Sequence, residues 1–92
     1  MAFVYMIELA RPLGTERHQA RYYLGSCKNL NRRMAQHRSG KGAAMLRFAN
    51  EKGIKYWVCK FSTLPTEAEA RQLERKLKAR KNHASLLSKV WT

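Results

Sequence analysis

Apolar positions crowd the first nine residues and then recur along the chain in two different rhythms. Residues 2–9 carry Phe3, Val4, Tyr5, Met6, Ile7 and Leu9 in a nearly unbroken run, the pattern of a buried strand. A polar connection follows from Arg11 to Gln19, with Pro12 and Gly14 marking a loop. Residues 20–25 resume as a strand, because Tyr22, Tyr23 and Leu24 suit a pleated, half-buried surface. The two strands are expected to form an antiparallel hairpin with a long tip. Gly25 then permits a tight turn, and Ser26 or Asn29 can accept from the orphan amides of a helix that ends at Gly40.

That helix has an unusual stripe. Leu30 and Met34 share one arc with Arg33 and His37, at helical spacing. An inward arginine beside a tyrosine suits phosphate binding. A snorkelling side chain, with its stem on apolar surface and its head in water, fits the same pattern. A second helix over 42–52 is expected to bury Ala44, Met45, Phe48 and Ala49 and to stop at Gly53. Residues 54–62 alternate as a strand covered on both faces, with Trp57 expected in the core, although it could instead stack on a base. Thr66-Glu67-Ala68-Glu69 reads as a capping box. The helix it opens runs to about Lys81, with Ala70, Leu73 and Leu77 as its stripe and Glu74 at the stripe's edge. A short terminal turn or helix should pack Leu86, Leu87 and Val90.

The whole is expected to be one domain over residues 1–92, large enough for a single modest core. Charge changes this picture more than size does. Nineteen Lys and Arg stand against six Glu and no Asp, a net of +13. Such an excess favours a polyanionic partner, nucleic acid before anionic membrane. Lys28, Arg32, Lys41 and Arg47 are candidates for backbone contacts, and Arg11, Arg17 and His18 could add others from the loop. No segment approaches the length needed to span a bilayer, and the opening residues lack the basic start of a secretory signal. Cys27 and Cys59 have no metal-ligand spacing, so they read as buried thiols rather than zinc ligands. A cytoplasmic location follows as the expectation.

The candidate chemistry lies in an ordered set of residues. Tyr23-Leu24-Gly25, with Arg33 ten residues on and His37 four beyond, resembles the second half of the GIY-YIG nuclease signature. Phe3-Val4-Tyr5 resembles the first half, with Phe3 where the family has glycine and Val4 for isoleucine. Glu74 matches the family's acidic metal ligand, and Asn82 is a candidate for its late asparagine. The resemblance implies a small α/β sandwich, in which a three-stranded, mainly antiparallel sheet is flanked by helices. It further implies an endonuclease acting on DNA. Tyr5 would deprotonate or orient a water, Arg33 would stabilise the pentacovalent phosphate, and Tyr23 and His37 would complete the hydrogen-bond network. Glu74 would hold one divalent cation, Mg2+ or Mn2+, and the products would carry a 5′-phosphate and a 3′-hydroxyl. DNA repair is the associated role, with a partner protein as one source of specificity.

Each residue also has a plainer reading. Tyr5 and Tyr23 can be strand aromatics, His37 a helix C-terminal cation, and Glu74 an i,i+4 partner of Lys78. A free tyrosine has a pKa near 10, so a base at neutral pH needs help. A metal-bound water and the adjacent Arg33 charge are each expected to favour a phenolate or share the cost of the proton. The alternatives to a nuclease are a nucleic-acid-binding module that does not cleave, a catalytic subunit that waits for its partner, and a basic domain that binds structured RNA.

Overall fold

The computed structural model describes residues 1–14, 21–80, 83–88 and 91. Three strands form one antiparallel sheet: β1 (Ala2–Leu9), β2 (Tyr22–Cys27) and β3 (Tyr56–Leu64). Their spatial order is β2-β1-β3, which puts the most apolar strand at the centre. The helices are α1 (Leu30–Arg38), α2 (Ala44–Glu51) and α3 (Glu67–Lys78), followed by a 3-10 turn over His83–Ser88. This is the expected α/β sandwich. Arg17, His18, Asn82 and Val90 lie outside the described residues.

Alternation along β1 builds two cores, because successive strand residues point to opposite faces. Ala2, Val4 and Met6 pack with Ala70, Leu73 and Leu77 of α3 and with Leu86 and Trp91. Tyr5, Ile7 and Leu9 pack with Met34, Leu46, Ala49 and Ile54 beneath α1 and α2. Each fully buried aliphatic of this kind contributes about 1.5–3 kcal/mol relative to exposure. Trp91, unassigned from the sequence, closes the first core and donates its indole N–H to Leu86 O at 3.0 Å.

Several expectations shift. Strand β2 runs on to Cys27, so Gly25 lies inside the strand and not in a turn. Strand β3 starts two residues later than expected and is an edge, with Trp57 44% and Phe61 56% exposed. Only one neighbour pairs with it, and although Cys59, Leu64, Tyr56 and Val58 pack against the two cores, Trp57 and Phe61 are left uncovered. Cys59 sits at an irregularity between β1 and β3, where Met6 pairs with Lys60 and Ile7 with Val58. In α2, Leu46 and Ala49 are buried, Met45 and Phe48 are half-buried against the same core as expected, and Ala44 is exposed. Helix α3 ends at Lys78, and Leu87 is exposed. Asn29, not Ser26, caps α1 by accepting from Arg32 N–H at 3.0 Å. The Thr66 hydroxyl caps α3 by accepting from Glu69 N–H at 3.2 Å. No helix among the described residues is long and apolar enough to cross a membrane.

Candidate active site

The site is built outward from Tyr5, at the middle of the central strand and fully buried. Its partner across the β1–β2 ladder is Gly25. A Cβ on Gly25 would lie 2.5 Å from the Tyr5 hydroxyl and 2.7 Å from Cζ, so the phenol lies across the one position of β2 with no side chain. That close approach, rather than a turn, is what the glycine serves. The hydroxyl reaches His37 Nε2 of α1 at 2.9 Å. The Tyr23 ring stands 6.2 Å from that of Tyr5 and 5.6 Å, edge-on, from the His37 imidazole.

Arg33 lies one turn before His37, half-buried, and its guanidinium reaches Tyr5. The net effect on Tyr5 runs against the expectation of a favoured phenolate. Burial, with Tyr23 beside it, pushes the phenol well above its ordinary range, and Arg33 offsets only part of that. Burial, reinforced by Arg33, also holds the His37 imidazole below the ordinary histidine range. His37 is therefore neutral at neutral pH and is not the C-terminal cation of α1.

Residues that the sequence did not single out hold His37 in place. Its Nδ1 accepts from the Ala43 amide at 3.3 Å, and its carbonyl accepts from Asn50 Nδ2 at 2.8 Å. Tyr56 donates to Asn50 Oδ1 at 3.0 Å, tying β3 to the same network. Asn50 and Tyr56 sit on half-buried element faces, where neither periodicity nor charge marks them.

Glu74 occupies the other side of the sheet. Helix α3 packs on the face that carries Val4 and Met6, whereas Tyr5 and His37 lie on the opposite face. The two halves meet around edge strand β2. Burial alone would raise the Glu74 carboxyl, but hydrogen bonds from Ser26 and Lys78, with the charges of Lys78 and Arg33, hold it below the usual carboxylate range. Lys78 Nζ is 2.9 Å from Glu74 Oε2 and also stands 6.0 Å from the Tyr23 ring centroid. The i,i+4 pair is thus real, and Arg33 is the group that acts on both Tyr5 and Glu74.

Beside this junction opens a cleft of about 680 Å³. Among its lining residues are Ser26, Lys28, Arg32, Arg33 and Arg71. Lys28 and Arg32 thus both stand on the cleft wall. Lys41 and Arg47 are exposed but do not line the cleft. Arg71 is the addition: it stands one turn before Glu74, next to the buried Ala70, a spacing that could have pointed to it.

The model of the GIY-YIG catalytic domain matches residues 1–86. The chain belongs to the GIY-YIG family. No match was found among curated proteins or solved structures. A GIY-YIG domain is a nuclease domain, and GIY-YIG nucleases generally use divalent metal ions. The donors present fit such an ion in one way only. Among the described residues no three His, Cys, Asp or Glu side chains gather as a ligand set. Glu74 offers one ionised carboxylate beside the Ser26 hydroxyl. Magnesium keeps most of its waters and is commonly held by one or two carboxylates plus substrate phosphates. The Glu74 carboxylate beside this cleft, with Glu67 also on the cleft wall, fits an ion that takes few protein ligands and is completed by the substrate.

Proposed function

We propose that this GIY-YIG domain, residues 1–92 acting as one unit, is a metal-dependent endonuclease that hydrolyses phosphodiester bonds in DNA. The observation that carries the reading is the position of Arg33. One guanidinium acts on a buried tyrosine and on an ionised carboxylate, beside a cleft lined by Lys28, Arg32 and Arg71.

In this reading Arg33 binds the scissile phosphate and stabilises the charge that develops on its oxygens. Tyr5 takes the proton of the attacking water, or orients that water until the proton is lost. Tyr23 and His37 fix the phenol's position, and burial excludes bulk water from it. Glu74 holds a single Mg2+ or Mn2+, which when bound supplies Lewis-acid charge at the phosphate and leaving oxygen. Lys28 and Arg32 grip the flanking backbone, and Lys41 and Arg47 extend the track beyond the cleft. The products carry a 5′-phosphate and a 3′-hydroxyl, as befits a repair nuclease, with a partner protein adding substrate choice. Binding through phosphates alone weakens steeply as salt rises.

The test is cleavage of plasmid and branched DNA by wild type and Glu74→Ala, with and without magnesium. Cleavage by wild type that is lost on chelation and in the variant supports the reading. The rival is a binding module, and it draws on the Lys78–Glu74 pair, which already neutralises the carboxylate. DNA binding by both proteins, with no cleavage of any substrate, would favour that rival.

A further inference from the structure

We infer that Gly42 and the backbone amide of Ala43 are positioning groups of the active site, which hold His37 as its Nε2–H tautomer so that it donates to Tyr5. The consequence for catalysis rests on the proposed role of Tyr5, but the tautomer itself does not.

A backbone N–H only donates, so His37 Nδ1, 3.3 Å from Ala43 N, must present its lone pair. A neutral imidazole carries one N–H, which therefore sits on Nε2. Nε2 faces the Tyr5 hydroxyl at 2.9 Å, so the histidine donates and the phenol oxygen accepts. An imidazolium would set Nδ1–H against Ala43 N–H, donor against donor. Ala43 is also the N-cap of α2 and makes no side-chain capping bond there. The positive end of that helix adds to the bias against a charged ring, and helix N-termini are known to keep an imidazole neutral.

The groups that face the ring agree. Tyr5 comes from β1, the edge-on Tyr23 ring from β2 and the Arg33 charge from α1. Gly42 makes the arrangement sterically possible. A Cβ there would collide with His37 Nδ1, the atom that must meet the amide. Gly42 does not have the positive φ of Gly40 and Gly53, so it is the ring and not the backbone that excludes a side chain. Asn50, bonded to the His37 carbonyl at 2.8 Å, anchors the same residue from behind.

This assigns the proton traffic. His37 cannot receive the Tyr5 proton while its Nδ1 is engaged by Ala43. It supplies instead an N–H that stabilises the phenolate form of Tyr5, offsetting part of the effect of burial.

The first measurement is the imidazole nitrogen NMR spectrum of the wild-type protein at neutral pH. A single neutral Nε2–H tautomer for His37 is expected. An Nδ1–H tautomer or an imidazolium would overturn the inference. Turnover then tests the consequence. Glutamine places an N–H near Nε2 but cannot take up the Tyr5 proton as a base. His37→Gln should therefore keep cleavage within about tenfold of wild type, while His37→Ala loses roughly a hundredfold. Equal losses in the two variants would overturn the donor role. Gly42→Ala, folded by its amide spectrum, should displace the ring and lower kcat about a hundredfold with KM for DNA little changed. Unchanged turnover in that variant would overturn the role of Gly42. A wild type with the expected tautomer and no cleavage would sink the nuclease reading and leave the tautomer standing.

Discussion

The two sides of the sheet are built to different standards. On one, Tyr5, Tyr23 and His37 are packed against each other, and His37 is 1% exposed with both ring nitrogens engaged. On the other, Glu74 lies at the margin of α3 with its carboxylate held by the flexible Lys78 and by Ser26. The first side is preorganised before anything binds. The second carries an ionised carboxylate beside a cleft lined by Lys28, Arg32, Arg33 and Arg71 together with Glu67, and under the proposed function it is complete only when a phosphate arrives. Arg33 is the bridge between them. The difference is that the fold locks Tyr5 and His37 in place, whereas the Glu74 carboxylate is held by a half-exposed ion pair at a cleft margin.

Removing the aimed group should have the largest effect. Tyr5→Phe keeps the ring and its packing but deletes the hydroxyl, so cleavage should fall by about 10²–10⁴, while DNA affinity stays near wild type. Single-turnover cleavage and a binding titration on the same DNA separate the two. Loss within tenfold would mean that Tyr5 is not the base.

Disturbing the packing of that side comes next. Gly25→Ala forces a Cβ toward the Tyr5 hydroxyl, an overpacking that should cost about 1–3 kcal/mol. Chemical unfolding measures it. An unchanged midpoint would show that the phenol can move aside, and the rigid side would be less rigid than described.

The pH dependence sharpens the contrast further. A base whose pKa is raised by burial is protonated through the neutral range, so the rate should climb as pH rises. The expected slope is about tenfold per pH unit, the behaviour of a single deprotonation, with the plateau on the alkaline side. A flat profile between pH 6 and 9 would exclude the buried phenol as the titrating base. If Glu74 governed the profile, its depressed pKa would put the rise in the acid range instead.

The smallest effect is reserved for the loose side. Lys78→Met frees Glu74 from a half-exposed ion pair, whose strength is of the order of 1 kcal/mol at most. The magnesium concentration for half-maximal cleavage should fall by up to about fivefold, and titrating the metal at fixed DNA reads it. A rise in that concentration would mean that Lys78 helps the site rather than competing for its carboxylate.

Much of this architecture is legible in the chain itself. The run at 2–9 is apolar enough to be read as a buried strand, and the Ala70, Leu73 and Leu77 stripe marks the face of α3 that packs on it. Trp57 shows where such reading fails. Alternation is the same for a central strand and for an edge strand, so its pattern could not reveal that β3 has a neighbour on one side only. Gly25 looks like a turn because glycine is used for both turns and close approaches, and only the register opposite Tyr5 separates them. Asn50, Gly42 and the Ala43 amide carry no signal along the chain at all, since they act through a histidine that the fold brings to them.

By itself the sequence determined the order of Tyr5, Tyr23, Arg33, His37 and Glu74, the elements that carry them, and the +13 charge that calls for a polyanion. Those properties are local or additive, and each can be read without knowing what packs on what. Only the tertiary structure decided that Tyr5 and Glu74 lie on opposite faces of the sheet, that Arg33 acts on both, and that burial raises the tyrosine instead of lowering it. Those depend on desolvation and on contacts between segments tens of residues apart, and no periodicity along one strand or helix encodes them.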